Sequence, residues 1–169
     1  GVVVAVAMGC HDRIFEGFFP SYVDHHGLLT TAVLGMVFGA VCMGAGWWQK
    51  TSNGTVPILA DSPERARKAA GFSAICGACG LWVSAASTIP PIAIVGVAGL
   101  LSTLLYGRTA REQGSQFDPQ VWRHWGRVGG GVSLFFYLLE YFPFHLGFHL
   151  EPNHPFHALA WFGAGEFIA

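Results

Sequence analysis

Charge is what this chain has least of: Asp, Glu, Lys and Arg make up only 11% of its 169 residues. Soluble domains carry roughly a quarter, so the composition excludes an ordinary soluble domain and indicates a membrane protein. A net charge of −1 removes bulk electrostatics as a reason to expect a nucleic-acid partner. The chain has four cysteines, and Cys76-Gly-Ala-Cys79 has no second CxxC to complete a metal site. That pair sits inside an uncharged segment of lipid length and reads as small packing residues of a helix. The opening GVVVAVAMGC is apolar but lacks the basic stretch of a signal peptide, and reads as part of a hydrophobic helix. There is no internal repeat and no low-complexity segment.

What the chain does have is 52% hydrophobic residues and 23 glycines. A bilayer crossing needs about 20 apolar residues. Residues 27–48 meet that length without a charge and end in Trp47-Trp48, suited to an interfacial belt. Residues 69–107 are uncharged over 39 positions, too long for one crossing. Pro90-Pro91 predicts a tight turn there, because proline lacks the amide donor and disfavours helix in the residue before it. The expected fold is an all-α polytopic transmembrane bundle forming a single membrane-embedded domain over 1–169. Its spans are 1–10 (partial), 27–48, 69–89, 92–107, 128–143 and 154–169, that is, five full crossings and part of a sixth. Gly35-x-x-x-Gly39, Gly96-x-x-Gly99 and Gly129-Gly130-Gly131 predict close helix contacts. DSPERARKAA predicts a helix start, with Asp61 or Ser62 as cap and Glu64 in the first turn.

Threading these spans alternately across a bilayer sorts the polar residues. Loops 49–68 and 108–127 fall on one face with Lys50, Arg65, Arg67, Lys68, Arg108, Arg111, Arg123 and Arg127, eight of the nine basic residues. The positive-inside rule makes that face cytoplasmic, or its organellar equivalent. Asn53-Gly-Thr55, a glycosylation sequon by pattern, is thereby on the wrong side.

Histidine follows the opposite rule. His11, His25, His26, His145, His149, His154 and His157 gather at the other face, with Asp12, Glu16, Asp24 and Glu151, and with Glu140 a turn below. Only His124 lies with the bases. His154 and His157 are three apart at a helix start, so they share a face and can approach one metal ion. Adjacent His25 and His26 point about 100° apart on a helix, and Asp24 can cap that helix. His145 and His149, with Glu140, are the candidates for holding haem or a chlorophyll-type pigment. His11, His154 and His157 are the candidates for a metal. An acid such as Glu140 within a span usually faces protein interior or water, so a rim histidine, Arg13 or another subunit is its expected partner. Interfacial decoration of a membrane loop is the competing account of all these histidines.

Two short stretches, MGCHDRIF and NHPFHALAW, resemble the ceramidase and progestin-receptor superfamily of seven-helix membrane hydrolases. The resemblance implies a zinc ion held by His11 from an early helix and by His154 and His157 from the last. Asp12 or Asp24 would assist, and zinc would activate water for attack on a lipid amide or ester. The chain departs from the family pattern in two ways. The last-helix histidines are three apart rather than four, and Ala7 stands where the family has serine. Histidine boxes of di-iron hydroxylases need adjacent pairs that are missing after His149.

The leading expectation is an accessory or cofactor-binding subunit of a larger membrane complex, holding haem or pigment through histidine. Its partners are then the lipid bilayer and other membrane subunits. The alternative is the zinc-dependent lipid hydrolase. Transport is disfavoured, because apart from Glu140 no span carries the charged or broken-helix signature of an ion route.

Overall fold

The computed structural model describes residues 25–49, 61–143 and 152–169, which are almost entirely helical. The all-α expectation therefore holds. The partial span 1–10, His11, Asp12, Arg13, Glu16, Asp24, Asn53, His145, His149 and Glu151 lie outside the described residues.

Helix α1 is His26–Cys42, followed by a 3-10 turn at Gly44–Gly46 and the two-residue strand β1, Trp47–Trp48. Helix α2 is Pro63–Val83 and α3 is Ala85–Leu101. A π-helical segment, Ser102–Tyr106, carries α3 on into α4, Gly107–Glu112. Strand β2, Gln116–Phe117, pairs antiparallel with β1. Helices α5, Pro119–Glu140, and α6, Pro155–Ile168, complete the described chain.

Three helices start by one device, a side-chain acceptor followed by proline at the first helical position. Ser62 Oγ accepts from the Arg65 amide at 3.3 Å before Pro63, as the sequence predicts, with Glu64 in the first turn. Asp118 accepts from the Gln120 amide at 3.0 Å before Pro119. His154 does the same for Phe156 at 3.1 Å before Pro155.

The break in the long uncharged stretch is at Ser84, not at Pro90-Pro91. Ser84 is extended (φ −159°, ψ 103°), and both prolines sit inside α3. A fixed φ near −65° is itself helical, so prolines early in a helix cost amide bonds without forcing a turn. The region 108–127, a loop or short surface helix by its polarity, contains the short helix α4, strand β2 and the first turns of α5. Trp47 also departs from the interfacial reading. Positive φ at Gly44, Ala45 and Gly46 reverses the chain, and Trp47 is buried against Phe117 with ring centroids 5.1 Å apart.

Helix α2 is the hub, packed against α1, α3 and α5, with α6 lying on α5. Its buried face is Ala66, Ala70, Gly71, Ser73, Ala74, Gly77, Ala78, Gly80 and Leu81, small residues that let backbones approach closely. A Cβ on Gly39 would lie 2.8 Å from the Ser73 backbone, and one on Gly35 2.8 Å from Cys76 Sγ. The predicted close contacts thus exist there, and at Gly99, Gly129 and Gly130, but Gly96 and Gly131 face open space. A buried polar relay links three helices. Trp125 Nε1 donates to Ser73 Oγ at 3.3 Å, and Ser73 Oγ donates to the Met36 carbonyl at 2.8 Å.

Two helical segments, His26–Gly46 and Ala85–Glu112, are long and apolar enough to cross a membrane. The α2 helix has Glu64 in its first turn, α5 carries Arg123 and Arg127 in its first half, and α6 has 14 residues.

The Gly126–Gly165 crossing of α5 and α6 is the tightest test of this packing, since a Cβ on Gly126 would stand 2.8 Å from Gly165 Cα. Gly126→Val should lower stability by about 3 kcal/mol, the upper end of overpacking costs. Gly131→Ala should be neutral or add about 0.5–1 kcal/mol. Thermal unfolding in detergent micelles compares the two.

Candidate functional site

The ion pairs among the described residues collect at one end of the bundle. Arg67 reaches Asp118 at 3.0 Å, joining the starts of α2 and α5. Glu166 of α6 bridges Arg123 at 3.0 Å and Arg127 at 2.7 Å on α5. Asp61–Arg65, Glu64–Lys68 and Arg108–Glu112 are local pairs one turn apart. The Lys68 ammonium, hydrogen-bonded to Glu64, holds that carboxyl below its usual range.

The opposite end holds the sequence-predicted site residues that are described, Glu140, His154 and His157. Glu140, the last residue of α5, accepts a hydrogen bond from the Trp82 indole at the end of α2. The Trp82 ring in turn stacks on Phe136 at 4.7 Å. Glu140 was expected to pair with a histidine, Arg13 or another subunit. Its observed partner is an indole N–H, which the sequence does not single out among six tryptophans.

Asn153 and Ser133 set the position of the histidines. Ser133 Oγ donates to Asn153 Oδ1 at 2.9 Å, and Asn153 Nδ2 donates back to the Ser133 carbonyl at 2.7 Å. Both residues are buried, so this two-point clamp fixes the chain just before α6 onto the middle of α5. His154 follows directly as the cap, with its ring 6.0 Å from that of buried Tyr137. Neither Ser133 nor Asn153 carries a motif, and only the fold reveals them.

The two described metal candidates differ in role. His154 Nδ1 is occupied by the cap hydrogen bond. The His154 and His157 rings are 6.4 Å apart, centroid to centroid, at 74°. Two imidazoles on one tetrahedral zinc, with Zn–N of about 2.0–2.1 Å, place their centroids roughly 5 Å apart. A shared ion therefore needs one ring to rotate. Among the described residues no group of three His, Cys, Asp or Glu side chains converges on a metal position.

His157 is 8% exposed, and neither ring nitrogen has a hydrogen-bond partner. It lines a groove of about 390 Å³ between α3 and α6, floored by Leu81 of α2. Ile92, Gly96 and Leu100 form the α3 wall, and Ala164 and Ile168 continue the α6 wall. No other lining residue among the described ones is titratable. A second apolar groove of about 340 Å³, between α1 and α3, has no titratable lining residue at all.

Removing one side of the clamp should strand buried polar atoms. Ser133→Ala and Asn153→Leu should each cost about 1–3 kcal/mol, and the double variant less than their sum. At the cap, His154→Ser should retain stability while His154→Ala loses about 0.5–2 kcal/mol. Thermal unfolding of the six proteins, wild type included, reads both effects. Comparison with protein-family models, curated proteins and solved structures returns no match for this chain.

Proposed function

We propose that the chain is a multi-span integral membrane protein that serves as an accessory, ligand-holding subunit of a larger membrane complex. The observation that carries this reading is an inverted burial pattern. The interior joins alanine, glycine and the polar Ser73, Thr88, Ser133 and Asn153 to a few large side chains, Trp122, Trp125 and Trp161 among them, while Phe38, Ile94, Leu104, Leu105, Leu159 and Phe167 are exposed. Water makes such an exterior costly at about 25 cal/mol per Å², whereas lipid imposes no such cost and leaves close packing as the cohesive force.

Length supports the same reading. From Arg123 to Glu140 along α5 is about 26 Å, and from Glu64 to Trp82 along α2 about 27 Å, at 1.5 Å per residue. Those intervals separate the ion-paired end from the histidine end and approach the roughly 30 Å hydrocarbon core. In this orientation α1, α2, α3, α5 and α6 are the five crossings, the basic end is cytoplasmic, and paired Arg123, Arg127 and Glu166 lie at the interface. Helix α3 is largely uncovered by the other described residues, which leaves surface for neighbouring subunits.

The ligand-holding role rests on His157, a coordinating and hydrogen-bonding side chain with no partner among the described residues, in a groove whose other described polar lining group is the equally unpartnered Trp161 indole. The resemblance to membrane hydrolases supplies the second reading, in which His154 and His157 join His11 around zinc.

Alkaline carbonate should leave the protein in the membrane pellet, and release into the supernatant would refute embedding. With the four native cysteines replaced by serine, Gln113→Cys should react with an impermeant maleimide only from the cytoplasmic side. Reaction from the other side inverts the orientation. In the purified protein, Soret or pigment bands assign a tetrapyrrole to the histidine end. Stoichiometric zinc without visible bands assigns hydrolase chemistry instead.

A further inference from the structure

We infer that the α3–α6 groove binds a neutral, single-tailed lipid whose carbonyl head meets His157. This rests on the membrane reading above, because the groove must open onto lipid for such a ligand to enter. Polarity along the groove is that of an amphiphile. His157 stands in the first turn of α6, and from there to Ile168 the α6 wall runs 11 residues, about 16 Å, with no further titratable group. The α3 wall, from Ile89 to Leu100, is aliphatic throughout.

The head must be small and uncharged. Among the described residues no lysine, arginine or second histidine lines the groove, so beside them the carboxylates of haem or of a fatty acid, or a phosphate, would be buried without a counter-ion. Neutral imidazole offers one donor and one acceptor; in His157 both nitrogens lack partners among the described residues and are buried, so the ring must turn to present its donor to the groove. A quinone, ester or amide carbonyl accepts from the donor. An unpaired buried polar group is costly, so a ligand that satisfies it gains affinity beyond its apolar contact. The α1–α3 groove is the internal comparison, with similar walls and no such group.

The test uses the full chain in phosphatidylcholine nanodiscs, with decylubiquinone as probe and quenching of tryptophan fluorescence as readout. Saturable binding at one molecule per chain is expected. His157→Gln, which keeps a donor, should bind within about threefold of wild type, and His157→Leu about tenfold more weakly, the weight of one hydrogen bond. Gly96→Phe should abolish saturable quenching, because a Cβ there meets nothing within 4 Å and the ring grows into the groove. Decylbenzene, which has the tail without the carbonyl, and decanoate do not quench tryptophan and are read by displacement of decylubiquinone; decylbenzene should bind at least tenfold more weakly to wild type and be indifferent to His157→Leu.

Unchanged binding in Gly96→Phe overturns the location. Equal binding of decylbenzene and decylubiquinone overturns the role of the head. Tighter binding of decanoate than of decylubiquinone, or a tetrapyrrole band in the purified protein, overturns the ligand class. None of these outcomes disturbs the membrane reading, which fails separately if alkaline carbonate releases the protein.

Discussion

The bundle depends on how closely its helices approach α2. A stripe of alanine, glycine and serine on that helix brings α1 near enough for Ser73 to reach the Met36 carbonyl at 2.8 Å. The same stripe admits the Trp161 ring over Gly77 and Gly129, so large rings of α6 fill what small residues of α2 and α5 vacate. In a soluble protein such a core would be thin, because small residues remove little apolar area from water. In lipid the arithmetic changes, since dispersion and hydrogen bonding between close backbones are the forces available. His154 and His157 inherit their positions from this packing through the Ser133–Asn153 clamp.

The sequence showed some of this plainly and some not at all. Helix starts were legible because Ser62 with Pro63 combines a cap with a fixed backbone angle, both local effects. The α1–α2 contact was legible in Gly35 and Gly39, where spacing alone places both glycines on one face. The division between α2 and α3 was not. Pro90-Pro91 is the stronger local signal, yet Ser84 makes the turn, with Thr88 Oγ1 hydrogen-bonded to the Ser84 carbonyl at 2.8 Å and tucked against Gly80. That is a tertiary fit between two helices, invisible to a single-residue propensity.

The site divides in the same way. His154 and His157 were identifiable as a pair at a helix start, and they are one. Their different roles depend on a backbone cap for one ring and on an apolar wall around the other, neither of which spacing encodes. Glu140 was marked by its charge, but its Trp82 partner comes from a helix 58 residues away in sequence. His11, His145 and His149 lie outside the described residues.

The π-helical turn between α3 and α4 bears on how this protein can change in length. Val95 and Gly99 are buried one turn apart, and the next buried glycine, Gly107, faces Trp47. Eight residues at 100° each would leave Gly107 about 80° out of phase with Gly99, whereas seven would leave it about 20° off. A π segment absorbs one extra residue without turning the helix that follows. Ser102–Tyr106 is thus an insertion already accommodated. In the history of such a chain, loss of one residue from this segment restores a regular helix with both glycines still facing inward, while the same loss elsewhere in α3 rotates one of its ends away from the bundle.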